Sequence, residues 1–504
     1  LHNNVDGSNS VAIGRLALFA QDPASAVDMN NVAVGYAAGT ATTTGTQNTL
    51  IGSLAGDAIT TASNNTSVGY SSLSANTTGT ANVAVGKDAL LANTTGNSNV
   101  AVGMDALTAN TTAANNTAVG GNALKANTTG TANVAVGLNG LDANTTGDNN
   151  TSVGASALGG NTTADNNTAV GFKALLTNTT GENMTAVGTN AGLSHTTGNS
   201  STFIGTDSGK LTTTGVGNTF VGDGSGKQNT TGASNVAMGQ SALLANTTAS
   251  NNTAVGYAAL TANTTGSENN AFGYGALYLN TTALNNNAFG TLALGANTTG
   301  AGNTAMGGNA LDANTTASNN TAVGYVALGA NTTGTQNTAV GSLSLDANTT
   351  GNENTAVGYA ALTTVTTASG NTALGWGAML STTTGYAGVA IGVSSLGVQT
   401  TGNQNVAVGS LTLDALTTGS LNTAVGQAAG GAVTTGIHNT FVGYTTGDAT
   451  TTASFNTAIG TAALSGVSGD ANTAIGHATI TATTGTLNTA VGVNAGYALQ
   501  GGGN

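Results

Sequence analysis

The chain has 504 residues, of which only 5% are charged and 4% aromatic, with a formal net charge of −13 and no cysteine. Six Lys and Arg residues in total cannot form a basic stripe along nucleic-acid phosphates, so no nucleic-acid partner is expected. The lack of cysteine excludes disulfides and thiolate metal sites. No run of eighteen apolar residues occurs, so direct membrane insertion of this segment is not expected either.

A seventeen-residue repeat fills almost the whole chain. With its first glycine as position 1, the consensus is G-x-x-A-L-x-A-N-T-T-G-x-x-N-T-A-V, and this glycine recurs every seventeen residues from Gly35 to Gly460. The first coil, 14–34, is longer and the coils within 460–491 are shorter. A short fixed period is typical of a solenoid, in which each unit is one coil packed on its neighbours. We therefore predict one elongated repeat domain over 1–504, about 29 coils, as a fragment of a longer chain.

Each coil is predicted to contain two extended segments. Glycine, threonine and asparagine disfavour helix, whereas Thr-Ala-Val at positions 15 to 17 is typical of a short strand ended by Gly. Ala-Leu-x-Ala at positions 4 to 7 is predicted as the second extended face, with Asn-Thr-Thr-Gly as the corner between them. The predicted fold class is all-β, a parallel β-solenoid of 17-residue coils.

The corner sequence suggests where the backbone turns. Position 11 is Gly in seventeen of the twenty-five full-length units and Ala in eight, and in six of those eight position 13 is Asn, as at Asn64, Asn115 and Asn319. Gly and Asn adopt positive φ most easily, so we expect a left-handed kink that moves from position 11 to position 13. Of the Thr pair at positions 9 and 10, one side chain is expected to form an outer ladder and the other to face inward or cap the turn.

The sizes of the side chains at positions 5 and 16 vary in opposite directions. Position 16 is usually Ala, but four units place a larger residue there: Leu50, Phe203, Phe220 and Phe441. Gly then replaces Leu at position 5 of the same unit, and Gly also occupies position 5 of the next: Gly56, Gly209, Gly226 and Gly447. Close-packed interiors keep a nearly fixed volume. These structural site residues are therefore predicted to share one buried space, with the Phe220 ring within about 4.5 Å of Gly226 or Gly209.

The predicted core is thin. One Leu and one Val per coil stabilise it by roughly 3 to 6 kcal/mol if fully buried, while ordering seventeen backbone residues costs on the order of 17 to 34 kcal/mol. Several chains that share a core are therefore favoured over a lone solenoid.

Histidines and carboxylates give no predicted catalytic, cofactor or metal site. The four histidines lie at unrelated repeat positions and are expected to be lone surface residues: His2, His195, His438 and His477. Two acidic groups share repeat positions and should stack: Asp88 with Asp105, and Asp148 with Asp165 and Glu182. Their spacing is compatible with a retaining glycosidase or a weakly held cation, but the absence of a cleft favours solvated charges. No enzymatic activity is predicted.

Two repeated features leave a glycan role open. Fifteen units carry Asn-Thr-Thr, formally a glycosylation sequon, for which a structural Asn ladder is the favoured interpretation. Aromatic residues recur at position 2, as at Tyr257 and Trp376, where they could contact glycans or simply lie at an exposed corner.

The strand sequence N-S-V-A-I-G at 9–14 resembles the head repeats of trimeric autotransporter adhesins of the YadA type. The longer phrase from Asn252 to Gly266 resembles repeats of tail-fibre-like proteins. The resemblance covers essentially the whole chain, although the adhesin repeats are typically shorter. It implies a left-handed parallel β-roll, intertwined or packed as a homotrimer, on a bacterial surface or a virion.

The function expected from the repeat and from this resemblance is a structural or adhesive shaft or head of an extracellular, cell-surface homotrimeric fibre. The partners expected are further copies of the chain and host-cell or surface glycans. The alternatives are a bacteriophage tail-fibre shaft on a virion, and an ice- or glycan-binding solenoid.

Overall fold

The computed structural model describes residues 6–481 and 484–497. Across them the chain is an all-parallel β-solenoid of about 28 coils of about 17 residues, without a helix. It divides into two compact units, Leu1–Asn252 and Thr253–Asn504, which repeat the same coil. The ends of the chain, and with them the expectation of a longer fibre, lie outside the described residues.

The first unit contains sixteen described strands. They are β1 (Gly7–Ser8), β2 (Val11–Ile13), β3 (Val27–Asp28), β4 (Val32–Val34), β5 (Thr49–Ile51), β6 (Thr66–Val68), β7 (Val83–Val85), β8 (Val100–Val102), β9 (Thr117–Val119), β10 (Val134–Val136), β11 (Thr151–Val153), β12 (Thr168–Val170), β13 (Thr185–Val187), β14 (Thr202–Ile204), β15 (Thr219–Val221) and β16 (Val236–Met238).

The second unit contains fifteen described strands. They are β17 (Thr253–Val255), β18 (Asn270–Phe272), β19 (Asn287–Phe289), β20 (Thr304–Met306), β21 (Thr321–Val323), β22 (Thr338–Val340), β23 (Thr355–Val357), β24 (Thr372–Leu374), β25 (Val389–Ile391), β26 (Val406–Val408), β27 (Thr423–Val425), β28 (Thr440–Val442), β29 (Thr457–Ile459), β30 (Thr473–Ile475) and β31 (Thr489–Val491).

The strand predicted at positions 15 to 17 is confirmed. Within each unit these strands pair in parallel with the strand of the next coil, so that residues with the same repeat position are neighbours, as in the pairing of Ala322 with Ala339. Ala322 and Ala339 are fully buried. Side chains alternate along a strand, so positions 15 and 17 face outward.

The second extended face predicted at positions 4 to 7 is wrong, because this stretch is a turn. Asn309 at position 3 has φ 56° and Leu311 at position 5 has φ 52°. As a result the neighbouring side chains of Ala310 and Leu311 are both fully buried, whereas a strand would send them to opposite faces. The turn still bonds to the next coil, where the Leu311 amide donates to the Ala327 carbonyl at 3.1 Å.

The predicted movement of the left-handed kink is also wrong. Position 13 has positive φ with either residue at position 11, as at Asn319 (φ 61°) after Ala317 and Gln336 (φ 60°) after Gly334. Gly334 itself has no positive φ, and a Cβ added there would collide with the Gly351 carbonyl oxygen in the next coil. At Gly334 the two backbones therefore approach more closely than a Cβ in this conformation would allow.

The threonine pair divides as expected. Thr332 at position 9 is half-buried and its hydroxyl donates to the Thr349 carbonyl of the next coil at 3.1 Å. Thr333 at position 10 is exposed. In this coil only one threonine of the pair therefore faces outward. Both threonines are exposed in three other coils, at Thr366–Thr367, Thr383–Thr384 and Thr451–Thr452.

Candidate interaction surface

The structure brings together the large residues at position 16 and the glycines at position 5. Phe220 is fully buried, and a Cβ added to Gly226 would lie 2.5 Å from its Cδ2 atom. A Cβ added to Gly209 would instead lie 2.5 Å from Cδ1 of Phe203, which stacks on Phe220 with ring centroids 5.7 Å apart. Phe220 thus fills the space left by the glycine of the following coil.

The other two exchanges have the same geometry. A Cβ added to Gly56 would lie 2.8 Å from Cδ2 of Leu50, and one added to Gly447 would lie 2.5 Å from Cε1 of Phe441. Leu50 and Phe441 are both fully buried. The same interior space is therefore filled either by the side chain at position 16 or by the side chains at position 5. These residues have a structural role.

Asparagines form the polar part of the interior. At position 14, the Asn320 side chain donates through Nδ2 to the Gly334 carbonyl at 2.9 Å and accepts through Oδ1 from the Asn337 amide at 2.9 Å. Asn320 is fully buried. Buried backbone groups need partners, and this ladder supplies them across coils. The sequence interpretation missed its burial.

A second asparagine ladder occupies position 8. Asn331 donates through Nδ2 to its own Gly334 carbonyl at 2.9 Å and to Asn314 Oδ1 of the preceding coil at 3.0 Å. Asn314 and Asn331 belong to Asn-Thr-Thr sequons, yet both side chains are fully buried. The burial favours the structural ladder over glycosylation at these positions.

In each unit, the outward side chains at positions 15 and 17 of the strands form a surface that we call the strand face. Position 17 is Val, Ile, Leu, Met or Phe in every coil, and in the second unit Val425 is 38% exposed, Val442 36% and Met306 46%. The expectation that the repeated Val is buried in the core of its own chain is wrong. A continuous apolar ladder on an outer surface is typical of an interaction site.

The stacked carboxylates make capping contacts and ion pairs. Asp148 Oδ1 accepts from the Thr131 amide at 2.6 Å, and Asp165 Oδ1 accepts from the Asp148 amide at 2.7 Å. Asp105 pairs with Lys125 at 3.2 Å. No group of three or more His, Cys, Asp or Glu residues suited to a metal ion occurs within 6–481 and 484–497.

Asp207 lies at the centre of a cluster of ion pairs. Its oxygens lie 3.1 Å from Lys210 Nζ and 2.9 Å from Lys227 Nζ, and Asn190 donates to it at 3.0 Å. Burial alone would raise the pKa of Asp207, but the hydrogen bonds from Lys227, Asn190 and Lys210 lower it to about 2. The single carboxylate of Asp207 contacts both lysines but offsets only one of their two positive charges.

His195 is not a surface residue, contrary to expectation. It replaces Asn at position 8 and is fully buried, with Nε2 2.7 Å from the Gly198 carbonyl. Its single Nε2 hydrogen cannot also reach the preceding coil, so Asn178 Oδ1 has no hydrogen-bond partner, and His195 Nδ1 has none either. Burial lowers the pKa of His195, and the bond to Gly198 offsets this only in part. By contrast, His438 is exposed and stacks on Phe455 at 5.1 Å.

The stability of the first unit is therefore expected to depend on His195 protonation. In the unfolded chain a histidine titrates near pH 6.5, whereas the folded state keeps His195 neutral to lower pH. The contribution of neutral His195 to the free energy of unfolding is therefore fully present above pH 6.5 and is lost as the pH falls below that value. His195→Asn should flatten the pH dependence of the urea midpoint between about pH 7.5 and 5. His438→Asn is the control and should leave the slope unchanged. Equal slopes for wild type and His195→Asn would contradict the prediction.

Aromatic residues at position 2 stack along the coil axis. The Tyr257 and Tyr274 rings have centroids 5.4 Å apart at an angle of 10°, with the two residues 50% and 56% exposed. Rings that stack on each other present edges to solvent, and a sugar would instead require an open ring face. This pair therefore gives little support to glycan stacking.

Comparison with models of known protein families finds no match, and comparison with curated proteins finds no significant match. None of the described residues belongs to a helix of the length and hydropathy needed to cross a membrane.

Proposed function

We propose that the chain is the shaft or head of an extracellular, cell-surface homotrimeric fibre, with a structural or adhesive role and no enzymatic activity. The observation that carries this proposal is the unbroken apolar ladder at position 17 of the strand face. Further copies of the chain are the simplest partners for a surface that repeats with the same period as the chain. Three copies and a left-handed coil are what the resemblance to the adhesins implies.

The size of the strand face supports self-association. The second unit has fifteen strands, so at about 4.8 Å per strand and about 10 Å per three-residue strand its outer face covers about 700 Å². A standard specific interface buries about 800 Å² per partner. The face of this unit alone thus approaches the area that a stable complex needs.

The alternatives differ in how much the geometry supports them. A bacteriophage tail-fibre shaft would use the same self-association. This alternative therefore differs from the cell-surface fibre in its location, on a virion, and not in its structure. An ice-binding surface would benefit from two parallel rows of threonines on one face. Of Thr332 and Thr333, however, only Thr333 is exposed. Host or surface glycans remain proposed partners of the assembled fibre.

Charges placed on the strand face are expected to dissociate the oligomer. Val425→Asp with Val442→Asp would bury uncompensated carboxylates between copies, at several kcal/mol for each buried ion. Mass photometry should show a trimer for the wild type and mostly monomer for this variant, with an unchanged circular dichroism spectrum.

The matched control carries the same change on another face of the same two coils. Thr418→Asp with Thr435→Asp alters exposed position-10 residues and should remain trimeric. A wild-type chain that is monomeric at micromolar concentration would overturn the proposed fibre.

A further inference from the structure

A face built from identical coils cannot by itself fix how two copies align. Sliding one copy by one coil, about 4.8 Å, brings Val opposite Val and Thr opposite Thr again. Strand pairing with a uniform pattern is prone to slippage, and register must come from positions that break the pattern. The residues that break the repeat on the strand face are therefore the ones that can fix the register.

Two adjacent coils break the pattern at both outward positions. Asn270 and Asn287 occupy position 15, and Phe272 and Phe289 occupy position 17, whereas all other coils have Thr or Val at position 15 and a non-aromatic residue at position 17. The Phe rings stack with centroids 4.9 Å apart at 7°, and the residues are 36% and 37% exposed. Asn270 Nδ2 donates to Asn287 Oδ1 at 2.9 Å. We call these four residues the register patch.

We propose that the register patch aligns the copies of this chain in the assembled fibre, with the patch of a second copy as its occupant. This inference rests on the proposed self-association through the strand face. When the register patches of two copies are aligned, Phe of one copy contacts Phe of the other and Asn contacts Asn. A shift by one coil leaves only one matched coil, and a larger shift places each Phe opposite Val, Ile, Leu or Met.

The chemistry of the patch favours a second copy over a sugar or a charged ligand. The two stacked rings use their faces on each other, so they offer edges that suit the edge-to-face packing of further aromatic rings. The amides already bond to each other and can extend the same bonding to another Asn. A single polar residue in an apolar interface is an attested way to specify register.

Cysteine cross-linking of the full chain tests the register directly, because the native chain has no cysteine. Thr338→Cys places one thiol on the strand face, three coils from Asn287. Copies aligned in register bring equal positions together and should form disulfide-linked dimers in high yield under mild oxidation. Changing the patch to the consensus (N270T, F272V, N287T, F289V) should reduce that yield at least threefold, while mass photometry still reports the same oligomer.

The control variant removes another stacked aromatic pair near the patch, with Tyr257→Ser and Tyr274→Ser at position 2, and should keep the high yield. Equal cross-linking with and without the patch, in an intact oligomer, would overturn the register role and leave the proposed fibre standing. A patch variant that no longer assembles would also overturn it, since the patch would then supply affinity and not register. A monomeric wild type would overturn both proposals.

Discussion

Replacing Phe441 by Ala is expected to lower the free energy of unfolding by about 3 to 5 kcal/mol. The ring is fully buried and lies between the glycines of two successive coils. Added Cβ atoms on Gly430 and Gly447 would lie 2.9 Å and 2.5 Å from ring carbons of Phe441. Without the ring, neither glycine has a side chain that could fill the cavity.

The cavity should be refilled by restoring the consensus at position 5. Adding Gly430→Leu and Gly447→Leu to Phe441→Ala is expected to recover most of the lost stability, because other coils combine Ala at position 16 with Leu at position 5. Leu is compatible with the local backbone, since Leu413 holds the same position with φ 47°. Gly447→Leu alone should destabilise the wild type by overpacking, by about 1 to 3 kcal/mol.

Urea unfolding followed by circular dichroism, at one fixed protein concentration, measures the wild type and these three variants. Fixed concentration matters because self-association stabilises the folded chain by mass action. A triple variant no more stable than Phe441→Ala alone would show that the exchange of bulk has another cause.

The repeat made part of this fold predictable. The fixed period placed equal residues in register, and the small residues at position 16 marked the inner side of the strand, as at Ala322 between Thr321 and Val323. The exchange between Phe220 and Gly226 was visible because substitutions in neighbouring coils compensate each other. Regularities that repeat along the chain therefore report spatial neighbours even in one sequence.

The turn at positions 3 to 5 could not be predicted from residue preferences. Leu is strongly disfavoured at positive φ, yet Leu311 has φ 52°. The available signal was that most coils have adjacent apolar residues at positions 4 and 5, such as Ala310 and Leu311. A strand with only one buried face does not need two adjacent apolar side chains.

Burial of the position-14 asparagine was missed for a different reason. Asparagine usually marks exposed turns, so Asn303 and Asn320 were not assigned to the interior. Their near-constant recurrence among variable neighbours was the available signal, since a solvent-exposed amide would tolerate exchange. Tertiary hydrogen bonding thus overrides the local preference of the residue.

Removing one asparagine side chain from the ladder at position 14 is also expected to lower the free energy of unfolding strongly. Asn320→Ala would leave the Asn337 amide without its side-chain partner and would remove one of the two side-chain donors to the Gly334 carbonyl, which keeps its bond from Asn331. One unsatisfied buried amide costs about 1 to 3 kcal/mol and one lost hydrogen bond about 0.5 to 1.5 kcal/mol, so a loss of about 1.5 to 4.5 kcal/mol is expected in urea unfolding.

The adjacent residue is a matched control, because Asn319→Ala removes the same side-chain atoms from an exposed position. Position 13 accepts alanine at positive φ elsewhere, as at Ala387 with φ 53°, so this control should cost no more than about 1 kcal/mol. Buried and exposed amides of the same coil would then differ severalfold in their contribution to stability. Similar losses for the two variants would mean that the inner ladder does not hold successive coils together, and that the backbone ladder and apolar packing do so without it.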